Sequence, residues 1–309
     1  MTTALITHPA CLSHEIPQGH PERPARLSEV LKALAAEEFR ALVRREAPAA
    51  SRDAIARAHA RDFVEDILAA IPQSGFVQLD ADTIASPGSG EAALRAAGAV
   101  MEGVDMVMAG EVKNAFCAVR PPGHHATPTR AMGFCFFNNV AIGALHARAV
   151  HGLERVAVVD FDVHHGNGTQ AMFSSNPALF YASTHQSPLY PGTGREDETG
   201  VAHNIVNVPL APGAGGAEFR RAFEEVILPA LTRFHPDFLM VSAGFDAHRA
   251  DPLAQLRLEE SDYAWATERL TAAAAQMCQG RVVSSLEGGY DLAALARSAA
   301  AHVRALMAA

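Results

Sequence analysis

A short run of residues near the middle of the chain constrains the fold most. Residues 156–159 read Val-Ala-Val-Val, and the polarity changes abruptly at Asp160. Such a run is typical of a strand that is buried on both faces of a parallel sheet. If the backbone stays extended, side chains alternate, so Asp160, Asp162 and His164 point to one face. Two carboxylates and an imidazole beside an apolar core predict a cation site, with a simple Asp-rich turn as the alternative.

Composition limits the class of protein. With 309 residues, 49% of them hydrophobic, the chain can bury a large core, and we expect one domain over residues 1–309. The net charge of −9, without a basic run, argues against nucleic acid as a direct partner and suits a cationic substrate. The sequence is compatible with a homo-oligomer.

The sequence also bears on the cellular compartment. It has four cysteines without a Cys-x-x-Cys pair, which favours buried thiols in a reducing cytoplasm over a disulfide framework or a zinc knuckle. The N-terminus lacks a signal sequence, and no segment has the roughly 18 apolar residues of a membrane span. We therefore expect a soluble cytoplasmic protein.

Hydrophobic periodicity predicts alternating strands and helices from about residue 115 onward, the pattern of βαβ units and a parallel sheet. The predicted strands lie at 3–7, 115–119, 156–160, 178–183, 204–209, 238–243 and 281–286. The predicted helices lie at about 24–36, 52–59, 63–68, 91–108, 138–150, 217–234, 261–279 and 291–307.

Unusual polar groups follow four of these strands. They are the pair His124 and His125, the segment 160–164, Asp246, and Tyr290. In open α/β sheets, ligands bind outside the carboxyl ends of the strands, so we expect the four segments to face one crevice. A solvated histidine pair or a tyrosine packed in a turn would be ordinary alone, but the convergence of all four predicts a functional site.

Seven motifs in chain order then resemble one known family. They are RPPGHHA at 120–126, MGFCFFNN at 132–139, DFDVHHGNGT at 160–169, PGTG at 191–194, SAGFDAH at 242–248, DPL at 251–253 and EGGY at 287–290. Together they resemble the zinc-dependent histone deacetylase family, from about residue 16 to the C-terminus. The chain looks most similar to the class II and bacterial histone deacetylase-like amidohydrolases, because Asn167 stands where class I members carry Asp. The resemblance implies an arginase-like α/β fold, with an eight-stranded parallel sheet between helical layers.

The resemblance also implies the metal ligands. Asp162, His164 and Asp246 would hold one zinc ion per chain, and three protein ligands leave a position for water and substrate. A binuclear site of the related arginase type needs further carboxylates, and Gly166 and His248 stand where they would be expected. One metal is therefore predicted, although this oxygen-rich set would also accept Fe(II) or Co(II).

Catalytic roles follow from the same resemblance. His125 would be the general base and acid, and Asn167 would orient it. His124 would be its buried electrostatic partner, held by Asp160. Tyr290 would donate a hydrogen bond to the developing oxyanion.

The family pattern also implies a structural potassium site. Asp160 would also bind a structural potassium ion, together with Ser183 and the backbone carbonyls of Asp162 and His164; the alternative is a carboxylate that only supports its neighbours.

Phe134 and Tyr190 would line a narrow substrate tunnel, where the family usually has Phe at the second position, and the alternative is that both rings belong to the core. Gly133 and Gly289 would let the backbone approach the substrate.

These observations predict a zinc-dependent amidohydrolase that removes acetyl or other acyl groups from lysine side chains of peptides and proteins, or from similar alkylamines. The close alternative is an acetylpolyamine amidohydrolase with the same site. A non-catalytic acyl-lysine binder is a third reading, against which the complete set of ligands, base and tyrosine argues.

Overall fold

An eight-stranded parallel sheet organises the computed structural model, which describes residues 2–309. Its strands in chain order are β1 Thr3–Thr7, β2 Val43–Glu46, β5 Asn114–Cys117, β6 Val156–Asp160, β7 Leu179–Gln186, β8 Ile205–Leu210, β9 Phe238–Ala243 and β10 Val282–Leu286, and a separate antiparallel pair is formed by β3 Val77–Gln78 and β4 Ile84–Ala85. The spatial order is β2-β1-β5-β10-β9-β6-β7-β8. The eight-stranded parallel sheet predicted from the family resemblance is thus confirmed.

Helices cover both faces of this sheet. They are α1 Pro24–Ala33, α2 Arg52–Ile55, α3 Arg61–Ala69, α4 Ser89–Met108, α5 Asn139–His151, α6 Asn167–Phe173, α7 Gly216–Ala222, α8 Leu228–Phe234, α9 Glu260–Met277 and α10 Leu292–Ala308. None of the helices within residues 2–309 is both long and apolar enough to cross a membrane.

Two neighbouring residues of β10 show how the layers are arranged. Val283 packs against Gly103 of α4, whereas the Ser284 hydroxyl lies 2.8 Å from Nε2 of His302 on α10. Adjacent side chains of a strand point to opposite faces, so α4 and α10 lie on opposite sides of the sheet. The central strands are accordingly buried at every position, as two-sided coverage requires.

Some elements differ from the sequence prediction for identifiable reasons. Strand β2 was not predicted, because its sequence Val-Arg-Arg-Glu is mostly exposed at the sheet edge and carries no apolar alternation. The single helix predicted at 217–234 is α7 and α8 joined by a π-helical turn, Phe223–Ile227. Pro229 follows this turn and has no backbone N–H to donate to the preceding turn. The π-helical turn accommodates this missing donor.

The order of the strands explains why distant polar segments meet. Strands β5, β10, β9 and β6 are consecutive neighbours in the sheet. All are parallel, so their carboxyl ends lie side by side at one edge. The four polar segments that follow them therefore share one crevice, although more than 160 residues separate His124 from Tyr290.

Glu287, directly after β10, ties two of these segments together. Its Oε2 accepts hydrogen bonds from the backbone N–H groups of Gly123, at 2.6 Å, and His124, at 3.2 Å. The Ser242 hydroxyl lies 3.4 Å from Oε1. Burial raises the pKa of Glu287 to about 7, against the opposing charge of His124 and the backbone hydrogen bonds. The side chain is 1% exposed and fixes the loop after β5 against the end of β10.

We expect Glu287→Ala to lower the free energy of unfolding by about 2–4 kcal/mol, because it leaves two buried N–H groups without an acceptor. Glu287→Gln keeps a carbonyl oxygen and the side-chain volume, so it should lose less than half as much. Urea unfolding followed by circular dichroism measures both. Equal losses in the two variants would show that the carboxylate itself, which both variants remove, matters at this position, and that a neutral carbonyl oxygen cannot replace it as acceptor.

Candidate active site

Three side chains converge at the centre of the crevice in a geometry that suits a metal ion. Nδ1 of His164 lies 3.1 Å from Oδ1 of Asp162 and 3.2 Å from Oδ2 of Asp246. Tetrahedral ligands at about 2.0–2.1 Å from zinc are roughly 3.3 Å apart, so the spacing matches that of donors around a metal. Both carboxylates are buried, at 1% and 0% exposed.

The electrostatics of this cluster favour a cation. Burial opposes a charge on His164, yet hydrogen bonds and charge from Asp162 and Asp246 raise its pKa to about 10. Two carboxylates taken out of water without a compensating cation would be costly. The raised pKa of His164 reflects a negative potential that a divalent metal would neutralise.

The chain reaches this geometry through two tight turns. Strand β6 ends at Asp160, whose Oδ1 accepts the N–H of Asp162 at 3.0 Å, and Oδ1 of Asp162 accepts the N–H of His164 at 2.9 Å. Aspartates commonly bond the backbone two residues on in this way. The prediction that Asp160, Asp162 and His164 share one extended face is therefore wrong, because the backbone turns after Asp160. Asp162 and His164 join Asp246, while Asp160 turns to His124.

Glycines allow the backbone to come close to the ligands. A Cβ at Gly244 would collide with the carboxylate of Asp162, and one at Gly288 would collide with that of Asp246. The N–H of Gly288 donates to Oδ2 of Asp162 at 2.8 Å, and the N–H of Val163 donates to Oδ1 of Asp246, also at 2.8 Å. Backbone donors thus hold each carboxylate in one orientation.

The two adjacent histidines have opposite electrostatic surroundings. Nδ1 of His124 lies 2.9 Å from Oδ2 of Asp160, and although burial disfavours its charge, Asp160 and Asp162 raise its pKa well above the usual value. Burial, together with the neighbouring His124 and His164, holds the pKa of His125 well below its usual value. Since Asp160 favours the cation and the surroundings of His125 disfavour one, the pair combines a charged and a neutral imidazole.

The tautomer of His125 follows from its partner. Oδ1 of Asn167, at the start of α6, lies 2.8 Å from Nδ1 of His125. An amide oxygen only accepts, so Nδ1 carries the proton and Nε2 is free to accept one. The Asn167 amide nitrogen lies 3.4 Å from the His125 carbonyl, which keeps the amide in this orientation.

Asp160 has a third partner that the sequence did not single out. The Tyr181 hydroxyl donates to Oδ2 of Asp160 at 3.1 Å and accepts the N–H of Gly166 at 2.9 Å. In a buried strand such as β7, a tyrosine reads as a core residue. Ser183, the other predicted potassium ligand, stands opposite Asp160 in the β6–β7 register, and its hydroxyl lies 2.9 Å from Nδ1 of His185.

Tyr290 is held from two sides. Its N–H donates to Oδ2 of Asp251 at 2.7 Å, and the Arg26 guanidinium lies 4.8 Å from its ring centroid. Arg26 is itself fixed by hydrogen bonds to the carbonyls of Glu287 and Gly289, both 2.5 Å. Burial raises the pKa of Tyr290 well above its usual value, although Arg26 opposes this. The phenol is therefore a neutral donor.

A cavity of about 260 Å³ leads to these groups. Its lining is formed by Asp82, His125, Gly133, Phe134, His164, Leu189, Tyr190, Leu253 and Tyr290. The Tyr190 ring meets that of His125 edge-on at 5.2 Å, and Phe134 meets Tyr290 at 6.0 Å. Gly133, Phe134 and Tyr190, which the family pattern assigns to a substrate tunnel, lie in the wall of this cavity.

Gly289, which the family pattern also assigns to the tunnel, is not among the residues that line this cavity. Its φ of +127° is a conformation that favours glycine, and its carbonyl is turned to Arg26. Its contribution is to the backbone that carries Tyr290. Conversely, Asp82 lines the cavity and accepts the N–H of Gly133 at 2.9 Å, although it lies in a short polar loop with no sequence signal.

Comparisons with known proteins agree with this geometry. A family model described as histone deacetylase domain matches residues 20–306. The histone deacetylase-like amidohydrolase of Pseudomonas aeruginosa is 40% identical over 88% of this chain and 73% of its own length. Histone deacetylase 14, chloroplastic, of Arabidopsis thaliana is 39% identical over 96% of this chain and 75% of its own.

Among solved structures, the crystal structure of the HDA15 HD domain superimposes with a TM-score of 0.94 at 36% identity. The match covers 99% of this chain and 88% of that one. With its fold, its crevice and nearly its whole length matched, this chain belongs to the histone deacetylase family of hydrolases.

Proposed function

We propose that the chain is a zinc-dependent amidohydrolase that hydrolyses the acyl amide of lysine side chains or similar primary alkylamines. One observation carries the proposal: a metal-ligand set, a neutral imidazole and a neutral phenol lie together at one cavity. They are formed by Asp162, His164 and Asp246, by His125, and by Tyr290. The similarity to a protein named histone deacetylase-like amidohydrolase supports it.

The residues present fit the metal. Nδ1 of His164 lies 3.1 Å and 3.2 Å from the carboxylate oxygens of Asp162 and Asp246. Zinc accepts two carboxylates and one imidazole as ligands, and so do Co(II) and Fe(II). When bound in such a site, the metal polarises the amide carbonyl and lowers the pKa of a water molecule. Asp160 and Ser183, with the carbonyls of Asp162 and His164, would hold a structural potassium ion beside it.

His125 moves the proton, and His124 supplies a fixed charge beside it. Nε2 of His125 accepts a proton from the attacking water and returns it to the leaving amine, which requires the imidazole to start neutral. His124 stays cationic because Asp160 holds its Nδ1 proton, and its ring centroid lies 4.1 Å from that of His125. This fixed charge stabilises negative charge that develops nearby.

The cavity supports an elongated alkylamine substrate. Phe134, Tyr190, Leu189 and Leu253 offer apolar surface for a methylene chain, and Asp82 offers a carboxylate for a cation or N–H group. Acyl-lysine and acylated polyamines share both features. A direct role for nucleic acid is not part of the proposal, given the net charge of −9.

The test compares metal content and turnover in wild type and Asp246→Ala. Zinc-replete wild type should hydrolyse an acetyl-lysine peptide or N-acetylputrescine, and the preferred substrate decides between the two amine classes. Asp246→Ala should lose the catalytic metal and hydrolysis together, because two ligands hold zinc poorly. His203→Asn, at an exposed histidine elsewhere, is the control. A wild type that binds the peptide without cleaving it would refute the proposal in favour of a binder.

Tyr290→Phe should lower kcat by about 10²–10³-fold, the usual effect of losing one oxyanion donor. The ring, and with it the stacking on Arg26, is retained, so KM and metal content should change little. Steady-state kinetics and metal analysis of the same preparation measure this. Near-normal turnover would mean that the hydroxyl takes no part in the reaction.

Asn167→Asp should shift the acidic limb of the kcat/KM pH profile upward. A carboxylate at 2.8 Å from Nδ1 stabilises the imidazolium of His125 and raises its pKa, so the base is lost at a higher pH than in wild type. Asn167→Ala removes the orientation without adding charge and should lower the rate without that shift. The pH profiles of wild type and variants, measured at equal zinc occupancy, test this. The apparent pKa of the acidic limb belongs to the coupled groups together, not to His125 alone. An unmoved limb in Asn167→Asp would contradict the tuning role.

A further inference from the structure

A second cluster of ligand-type side chains lies between helices α4 and α5. Oδ1 of Asp105 is 2.7 Å from Nε2 of His146 and 2.6 Å from Nε2 of His151. Within residues 2–309, only this group and the Asp162 cluster bring three metal-ligating side chains to within 4.8 Å of one another. The catalytic proposal makes no use of it.

The cluster is distinct from the active site. Helix α5 starts beside the catalytic loop, where the Asn138 side chain caps it and donates to the carbonyl of Ala126 at 3.2 Å. His151 is the last residue of the same helix. At 1.5 Å per residue, a helix of 13 residues spans roughly 20 Å, so the cluster lies near the opposite end.

Its burial is graded in a way that suits an open metal site. The side chain of His146 is 7% exposed and that of His151 22%, while Asp105 is 44% exposed. The imidazoles are the more buried members of the cluster, and the carboxylate is open to solvent. The observed 2.6–2.7 Å spacings are hydrogen bonds, and metal ligation needs roughly 3.3 Å, so the half-exposed carboxylate must withdraw by well under an ångström.

The protons of the metal-free form are also defined. Nη1 of Arg57 lies 3.2 Å from Nδ1 of His146, and a guanidinium only donates. Nδ1 therefore accepts this hydrogen bond, and the Nε2–H group of His146 donates a hydrogen bond to Asp105. A metal at Nε2 displaces the Nε2 proton, and the neutral imidazole then carries its proton on Nδ1. Since Nδ1–H and the guanidinium are both donors, Arg57 can no longer bind there. Because Arg57 is exposed, it can turn into water, and it competes with the metal.

We propose that Asp105, His146 and His151 form a second metal site, which binds a borderline divalent transition ion such as Zn²⁺, Co²⁺ or Ni²⁺. Two imidazoles and one carboxylate favour these ions over Mg²⁺ and Ca²⁺, which prefer oxygen ligands. Since α4 supplies one ligand and α5 two, a bound ion joins the two helices.

Equilibrium dialysis against buffered free Zn²⁺, with metal counted per chain, tests the proposal. Wild type and the control His203→Asn should bind two ions, and His151→Gln and Asp105→Asn one. Asp246→Ala should also retain one, at the second site. A single ion in wild type that His151→Gln retains and Asp246→Ala loses, or His151→Gln that still binds two, overturns the proposal.

A second measurement separates this site from the catalytic one. In an Asp246→Ala background, Zn²⁺ should raise the melting temperature, because it binds the folded state, and adding His151→Gln should abolish that rise. Arg57→Met should tighten zinc binding in this background about tenfold, since it removes a competing unit charge. No zinc-dependent rise in Asp246→Ala, or unchanged affinity in Arg57→Met, contradicts the assignment. These outcomes do not depend on whether the chain hydrolyses amides.

Discussion

The site depends on two buried carboxylates that face one imidazole nitrogen. Asp162 and Asp246 are almost fully excluded from water, and the donors that hold them are backbone N–H groups. Backbone donors orient a carboxylate without neutralising it. The fold therefore keeps the negative charge of the two carboxylates concentrated at the floor of the cavity. Glycine is required at positions 244 and 288, because a Cβ there would collide with these carboxylates.

The surrounding groups divide the chemistry by protonation state. Asp160 keeps His124 charged, Asn167 keeps His125 in one neutral tautomer, and burial keeps Tyr290 a phenol. His125 and Tyr290 line the cavity and His124 packs against His125, so three neighbouring groups differ in protonation state, and each state is set by the surroundings rather than by the residue type. This is why the neighbours of the reacting groups constrain function as much as the groups themselves.

A local pattern in this chain predicts a local structure: the apolar run before Asp160 and the motifs after the other strands predict the parallel sheet, the family and the residues that meet in the crevice. Geometry that depends on tertiary contacts is not predicted. The extended face through His164 was wrong because side chain to backbone hydrogen bonds bend the chain after Asp160. Asp105, His146 and His151 carried no signal, because a spacing of five in α5 is not a helical repeat and the third member comes from α4.

The position of β10 has a consequence for folding. It is the last strand of the sheet in the chain, yet it lies between β5 and β9 and is the only strand that joins β2, β1 and β5 to β9, β6, β7 and β8. Without β10, the strands β5 and β9 have no partner between them, so the two halves of the sheet are not joined. Joining the two halves brings Glu287 and Tyr290 into place in the same step. The residues of the crevice therefore come together only when the last strand has joined the sheet, and a chain without β10 presents two unpaired strand edges.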